Sequence, residues 1–206
     1  MMGRAADPPG GSVYEVEQKY RVIDTAQLEG RLVRLAAAWG GTTEQVDRYF
    51  NHPSRDFATT DEALRLRSTP AGVAITWKGP RLDATAKIRQ EIELPLMADA
   101  GPTAANPSPA TLDRWTELLE ALGFRRVREV VKRRRLARVA WEGASIDVAI
   151  DEVAGLGEFV ELELLADAPG IAVAARCVES LARELGCGPP ERRSYLEMLL
   201  RPAHDQ

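Results

Sequence analysis

Cysteine and histidine are scarce, with two of each in 206 residues. Cys177 and Cys187 have no CxxC partner, so neither a zinc site nor a disulfide framework is implied, and reduced thiols in the cytoplasm are expected. His52 falls in an Asn-His-Pro-Ser turn and His204 near the C-terminus, so a histidine-based centre is not expected. No apolar run is long enough for a membrane helix. The N-terminus lacks the apolar core of a signal peptide. There is no GxxxxGK[ST] loop to cradle phosphates. A net charge of −4 and a pI near 5.4 argue against a general nucleic-acid binder, although not against a local basic pocket for a small anion.

What is present is an ordinary globular composition, 45% hydrophobic and 28% charged, enough to bury a core without staples. Residues 1–12 read as a disordered Gly-, Pro- and Ala-rich tail, 13–201 as one domain and 202–206 as a second tail. Strands are expected over 13–22, 44–50, 63–68, 73–78, 87–94, 125–139, 145–151 and 159–165. Asp24 caps a helix that Gly40 and Gly41 end. A flexible segment at 98–109 precedes a second helix, with Trp115, Leu118 and Leu119 as its core. A third helix ends near Gly186, and a short last one carries Tyr195 and Leu199. Strands do not alternate regularly with helices, which argues against a parallel doubly wound sheet.

The strands carry charge in alternation, and residues i, i+2 and i+4 of a strand share a face. Glu15, Glu17, Lys19 and Arg21 line one side of the first strand. Arg65 with Arg67, Thr76 with Lys78, Arg89 with Glu91 and Glu93, Lys132 with Arg134, Asp147 with Asp151, and Glu161 with Glu163 repeat the pattern. One charged face is usually the solvated side of a sheet. Many faces with carboxylates paired at i, i+2 are less simply explained, because like charges repel. Paired carboxylates suit a hard divalent cation, and Arg and Lys suit phosphate oxygens. The basic run Lys132-Arg133-Arg134-Arg135 fits phosphate binding plus a solvated outer face better than nucleic acid.

These residues also resemble a known family. Glu15-Val16-Glu17-Gln18-Lys19 matches the ExExK signature of the CYTH, or triphosphate tunnel metalloenzyme, superfamily. The likeness continues through Tyr49-Phe50-Asn51-His52-Pro53, Asp61–Arg67, Thr76–Pro80, Arg89–Glu93, Asp151–Glu163 and Arg193-Ser194-Tyr195. Within the superfamily the chain is most similar to the class IV adenylate cyclases. The resemblance implies an α+β fold, a closed eight-stranded antiparallel β-barrel with helices packed outside. It implies Glu15, Glu17, Asp151, Glu161 and Glu163 as ligands of Mg²⁺ or Mn²⁺, two ions in all. It implies Lys19, Arg65, Arg67, Lys78, Lys132, Arg134 and Arg193 as triphosphate binders, with Arg89, Glu91 and Glu93 on a tunnel strand of mixed role. The implied reaction is ATP to cyclic AMP and pyrophosphate. Hydrolysis of tripolyphosphate or thiamine triphosphate is the alternative, and a non-catalytic polyphosphate-binding module ranks lower. Some cyclases of the group carry a His-Phe pair before the ExExK; Ala6–Tyr14 has neither residue. No nucleic-acid or membrane partner is expected. The aliphatic face around Leu162 and Leu164 is expected to cover helices or a homodimer partner.

Overall fold

The computed structural model describes residues 14–81, 89–96 and 109–200. The two tails expected at 1–12 and 202–206, and the flexible segment at 98–108, lie outside the described residues. Eight strands are seen: β1 (Tyr14–Arg21), β2 (Ala38–Asn51), β3 (Ala63–Thr69), β4 (Gly72–Arg81), β5 (Arg89–Leu96), β6 (Arg125–Trp141), β7 (Ala144–Val153) and β8 (Gly157–Ala166). They form one sheet in the order β1-β8-β7-β6-β2-β3-β4-β5, every neighbouring pair antiparallel. The sheet curls until its two end strands, β1 and β5, approach each other. No ladder joins these two among the described residues, so closure is by proximity of the edges. The free edge of β1 is partly covered by the segment before α5 (Tyr195–Leu200), where Glu191 donates its backbone N–H to the carbonyl of Lys19 at 2.7 Å and Pro190 bridges Tyr20.

Local chemistry sets the strand connections. β6 turns into β7 through Glu142 and Gly143, whose φ values of 47° and 80° give the two-residue turn that matches strand twist. Helix α1 (Thr25–Arg34) starts where the Asp24 carboxylate accepts the N–H of Gln27 at 2.9 Å. It stops earlier than the glycine pair predicts. Ala36 takes a left-handed φ of 52° that ends the helix, and Gly40 and Gly41 belong to β2 instead. Gly40 is needed there for a close approach: a Cβ on it would stand 3.3 Å from that of Leu136.

The convex face is apolar and covered. Helices α1 and α4 (Ile171–Glu184) pack over β1, β8, β7 and β6, burying Leu28, Leu32, Val148, Val160, Leu162, Val178 and Leu181 in one cluster. Leu162 and Leu164 therefore meet helices of their own chain. Helix α3 (Pro109–Ala121) covers the other half with Leu112 and Leu119, over Phe50, Leu64, Leu66 and Val73. Trp115 packs against this cluster, but Leu118 faces solvent, because the helix turns only one stripe to the sheet. The buried Arg48 ties α3 down, donating to Asp113 at 2.9 Å, Thr116 at 2.8 Å and Glu129 at 3.0 Å. A short helix α2 (Phe57–Thr60) follows β2, and α5 (Tyr195–Leu200) behaves differently from the rest.

Leu162 is fully buried between the sheet and α4. Leu162→Ala should cost about 2–5 kcal/mol in urea unfolding, with transfer and cavity terms adding. A loss below about 1 kcal/mol would mean the helix layer does not hold the sheet.

Candidate functional site

Directly opposite residues of an antiparallel ladder share a face, so the registers assign the concave side residue by residue. Glu17 lies opposite Glu163 and Lys19 opposite Glu161. Glu163 lies opposite Asp147, and Phe159 opposite Asp151. Asp151 is opposite Arg134, and Val153 opposite Lys132. Lys132 faces Gln45, which shares β2 with Asp47 and Tyr49, opposite Arg67 and Arg65. Arg65 leads to Thr76 and on to Glu93, and Lys78 sits opposite Glu91. One continuous inner face thus carries nearly every residue singled out from the sequence. Arg89 starts β5 opposite Arg81, and its side chain lies outside the described residues. Arg193 sits apart, at the entry to α5, where its guanidinium holds Glu191 at 2.6 Å. That contact keeps the Glu191 carboxyl down at about 2.

The inner charges are withdrawn from water and set against one another. Lys19, Asp47, Lys132 and Asp151 are each less than 5% exposed. Isolated buried ions cost several kcal/mol each, so pairing is obligatory. Arg67 grips Asp47 with two bonds, of 2.6 and 2.7 Å, and Arg65 stands 3.6 Å from the same carboxylate. Burial would raise the Asp47 carboxyl, but these guanidinium groups outweigh it and hold it well below the usual range. Arg134 grips Asp151 with two bonds, of 2.7 and 2.6 Å, and also bonds Glu161. Burial opposes the Arg134 charge, yet Glu161 and Asp151 keep its pKa raised. Lys132 lies 3.4 Å from Asp151, and Lys78 lies 2.8 Å from Glu91. Burial and the neighbouring Arg134 push the Lys132 ammonium down.

The far end of the inner face is closed by apolar side chains. Tyr195 and Met198 of α5 pack on Val130, Val153 and Phe159, with Tyr49, Leu156 and Leu199 beside them. The Tyr195 hydroxyl donates to Asp151 at 3.0 Å, and its ring lies under Lys19, whose Nζ is 4.1 Å from the centroid. Burial, followed by Glu161 and Asp151, raises the Tyr195 pKa so that the phenol stays protonated.

The remaining acids are crowded with each other. Burial, then Glu17 and Glu163, push the Glu15 carboxyl up to about 8. Glu163 is also raised, by burial first and by Glu17 and Asp147, and it is hydrogen-bonded to Glu15. A proton thus joins two carboxylates that repel. Among the described residues no three His, Cys, Asp or Glu side chains stand together as a formed metal site.

Sequence reasoning missed Asp47, Gln45 and Tyr49 as inner-face residues. The i, i+2, i+4 signal was there, but Arg48 on the opposite face blurred it. Tyr195 had no local signal, because it reaches Asp151 only through the fold.

The chain matches the CYTH domain family over residues 13–195. It is 33% identical over 149 residues to the Methanocaldococcus jannaschii protein named "Putative adenylate cyclase MJ0240", covering 72% of this chain and 75% of the relative. The PH1819 protein of Pyrococcus horikoshii OT3 superposes with a TM-score of 0.75 at 36% identity, over 91% of this chain and 98% of that one. The fold also extends to HpAC1 from Hippeastrum, a protein described as revealing a dominant triphosphatase activity, with a TM-score of 0.57 and 19% identity over 90% of this chain and 95% of that one. No helix among the described residues is long and apolar enough to cross a membrane.

The Glu15 carboxyl moves from 4.5 to about 8 on folding. Between those values the folded chain keeps a proton that the unfolded chain releases, so its contribution to stability falls as pH rises through this window. Thermal unfolding without divalent cations should show the melting temperature dropping from pH 5 to pH 8.5, and Glu15→Gln should flatten that drop. An unchanged slope in Glu15→Gln would contradict the crowding.

Proposed function

Because the chain belongs to the CYTH domain family, we propose that it converts ATP to cyclic AMP and pyrophosphate with bound Mg²⁺ or Mn²⁺. One observation carries this reading. A single inner face holds a crowd of carboxylates, Glu15, Glu17 and Glu163, beside a row of Lys and Arg.

The donor set fits a hard cation. Oxygen ligands are what Mg²⁺ and Mn²⁺ take, and a positive charge would relieve the crowding that raises the carboxyls of Glu15 and Glu163. Glu15, Glu17 and Glu163 would hold one ion. Glu161 and Asp151 would join a second set once Arg134 turns from them to phosphate. A bound divalent cation supplies charge neutralisation on the phosphate and eases loss of the proton from the attacking hydroxyl.

The chain's own residues do the rest. Lys19, Arg65, Arg67, Lys78, Lys132 and Arg134 would bind the three phosphates. Arg65, Arg67 and Arg134 offer the fork that matches two phosphate oxygens. Each of these three is already held near the inner face by a carboxylate, so little side-chain freedom is left to lose on binding. Glu91 and Glu93 hold Lys78 and Arg65 in place, as the spacings of 2.8 and 3.7 Å show. Arg193 would have to leave Glu191 to reach a phosphate. In the reaction the ribose 3′-hydroxyl attacks the α-phosphorus and pyrophosphate departs. The cationic row stabilises the charge that gathers on the phosphate oxygens. The apolar block at α5 keeps water from that end.

Purified protein given ATP, tripolyphosphate or thiamine triphosphate, each with Mg²⁺ or Mn²⁺, should form cyclic AMP and pyrophosphate from ATP. Orthophosphate from tripolyphosphate without cyclic AMP would replace the cyclase reading by hydrolysis. Binding without turnover would leave only a polyphosphate-binding module. Glu17→Ala should abolish cation-dependent turnover with the circular dichroism spectrum unchanged. Lys19→Met should lower kcat by about 10²-fold. Full activity in Glu17→Ala would remove that residue from the site.

A further inference from the structure

Gln45 stands in the middle of the inner face, on β2, opposite Lys132 of β6. It is only 9% exposed. The charged side chains around it are engaged with one another. Lys132 lies against Asp151, Arg134 grips Asp151 and Glu161, and Arg67 and Arg65 hold Asp47. The Gln45 oxygen Oε1 is buried and takes no hydrogen bond, the one such side-chain atom among the described residues.

A buried acceptor left bare burdens the fold, and an apolar side chain of similar length would remove the burden. The amide is therefore explained by what it offers to a ligand, as local rules are broken mainly at functional sites. The bare atom is an acceptor on the residue opposite Lys132, two residues along β2 from Thr43, which lies opposite Arg134. Phosphate oxygens will be drawn to those cations, but at neutral pH they bring no proton for the carbonyl. A hydroxyl beside the phosphate does.

Resting on the triphosphate reading above, we propose that Gln45 Oε1 accepts the O–H of the group that attacks phosphorus, either a ribose hydroxyl or a water molecule. The contact turns the oxygen lone pair of that group toward phosphorus. The oxygen then forms the new P–O bond. The bridging P–O bond breaks, its electron pair leaving with the departing phosphate or pyrophosphate, and the hydroxyl proton passes to solvent. An amide carbonyl is too weak a base to keep that proton, so Gln45 orients the group and does not deprotonate it.

The test pairs thermal unfolding with steady-state kinetics on Gln45→Leu and Gln45→Met, using ATP and tripolyphosphate as substrates. Both variants should melt at or above the wild-type temperature, while kcat falls about tenfold, the worth of one hydrogen bond, with KM little changed. Loss of cyclic AMP formation from ATP identifies the ribose hydroxyl, and loss of orthophosphate release from tripolyphosphate identifies the water. Unchanged kinetics in both variants would overturn the assignment and leave the triphosphate reading intact. A lowered melting temperature together with lowered kcat would make Gln45 structural. A wild-type protein that turns over neither substrate would sink the catalytic reading and this proposal with it.

Discussion

A charged side chain on the inside of a curled sheet is taken from water without losing its charge, and the chain must compensate locally or not fold. Here the compensation is mutual. Asp47 answers Arg67 and Arg65, Asp151 answers Arg134 and Lys132, and Glu91 answers Lys78. Most of the architecture serves to keep these pairs enclosed. The antiparallel registers place them on one face, the helices α1, α3 and α4 bury the other face, and α5 blocks one end.

In one place acid crowds acid, and that place is informative. Glu15 and Glu163 are hydrogen-bonded to each other with Glu17 close by, and the carboxyls of both are raised. Stability and function pull in opposite directions there. A cluster of this kind weakens the fold near neutral pH, and under the proposed function it would bind a divalent cation, a trade that proteins make at sites of use. The rest of the inner face is tuned the other way. Its guanidinium groups are paired with carboxylates and oriented by them.

The alternation of charge made the sheet legible from the sequence. Glu15-Val16-Glu17-Gln18-Lys19 has one reading as a strand, and its charged side is the concave side. The two-residue spacing gave Arg65 with Arg67 and Glu161 with Glu163 the same way. What local pattern does not encode was not legible. Asp47 escaped because Arg48, its neighbour, is also charged but serves as the bolt for α3 on the convex face. Tyr195 escaped because its place over Lys19 depends on a helix returning from the other end of the chain. The end of α1 was misjudged because Gly40 and Gly41 look like a helix stop, whereas Gly40 lets β2 press on Leu136.

Under the proposed function the crowded acids receive a cation beside the row of Lys and Arg. Crystals grown with Mn²⁺ and tripolyphosphate, read by anomalous scattering, locate both ligands. The expected result is a manganese peak among Glu15, Glu17 and Glu163, with phosphates against Lys19, Arg65 and Arg134. Manganese found only on the outer surface, with Glu15 still hydrogen-bonded to Glu163, would contradict it.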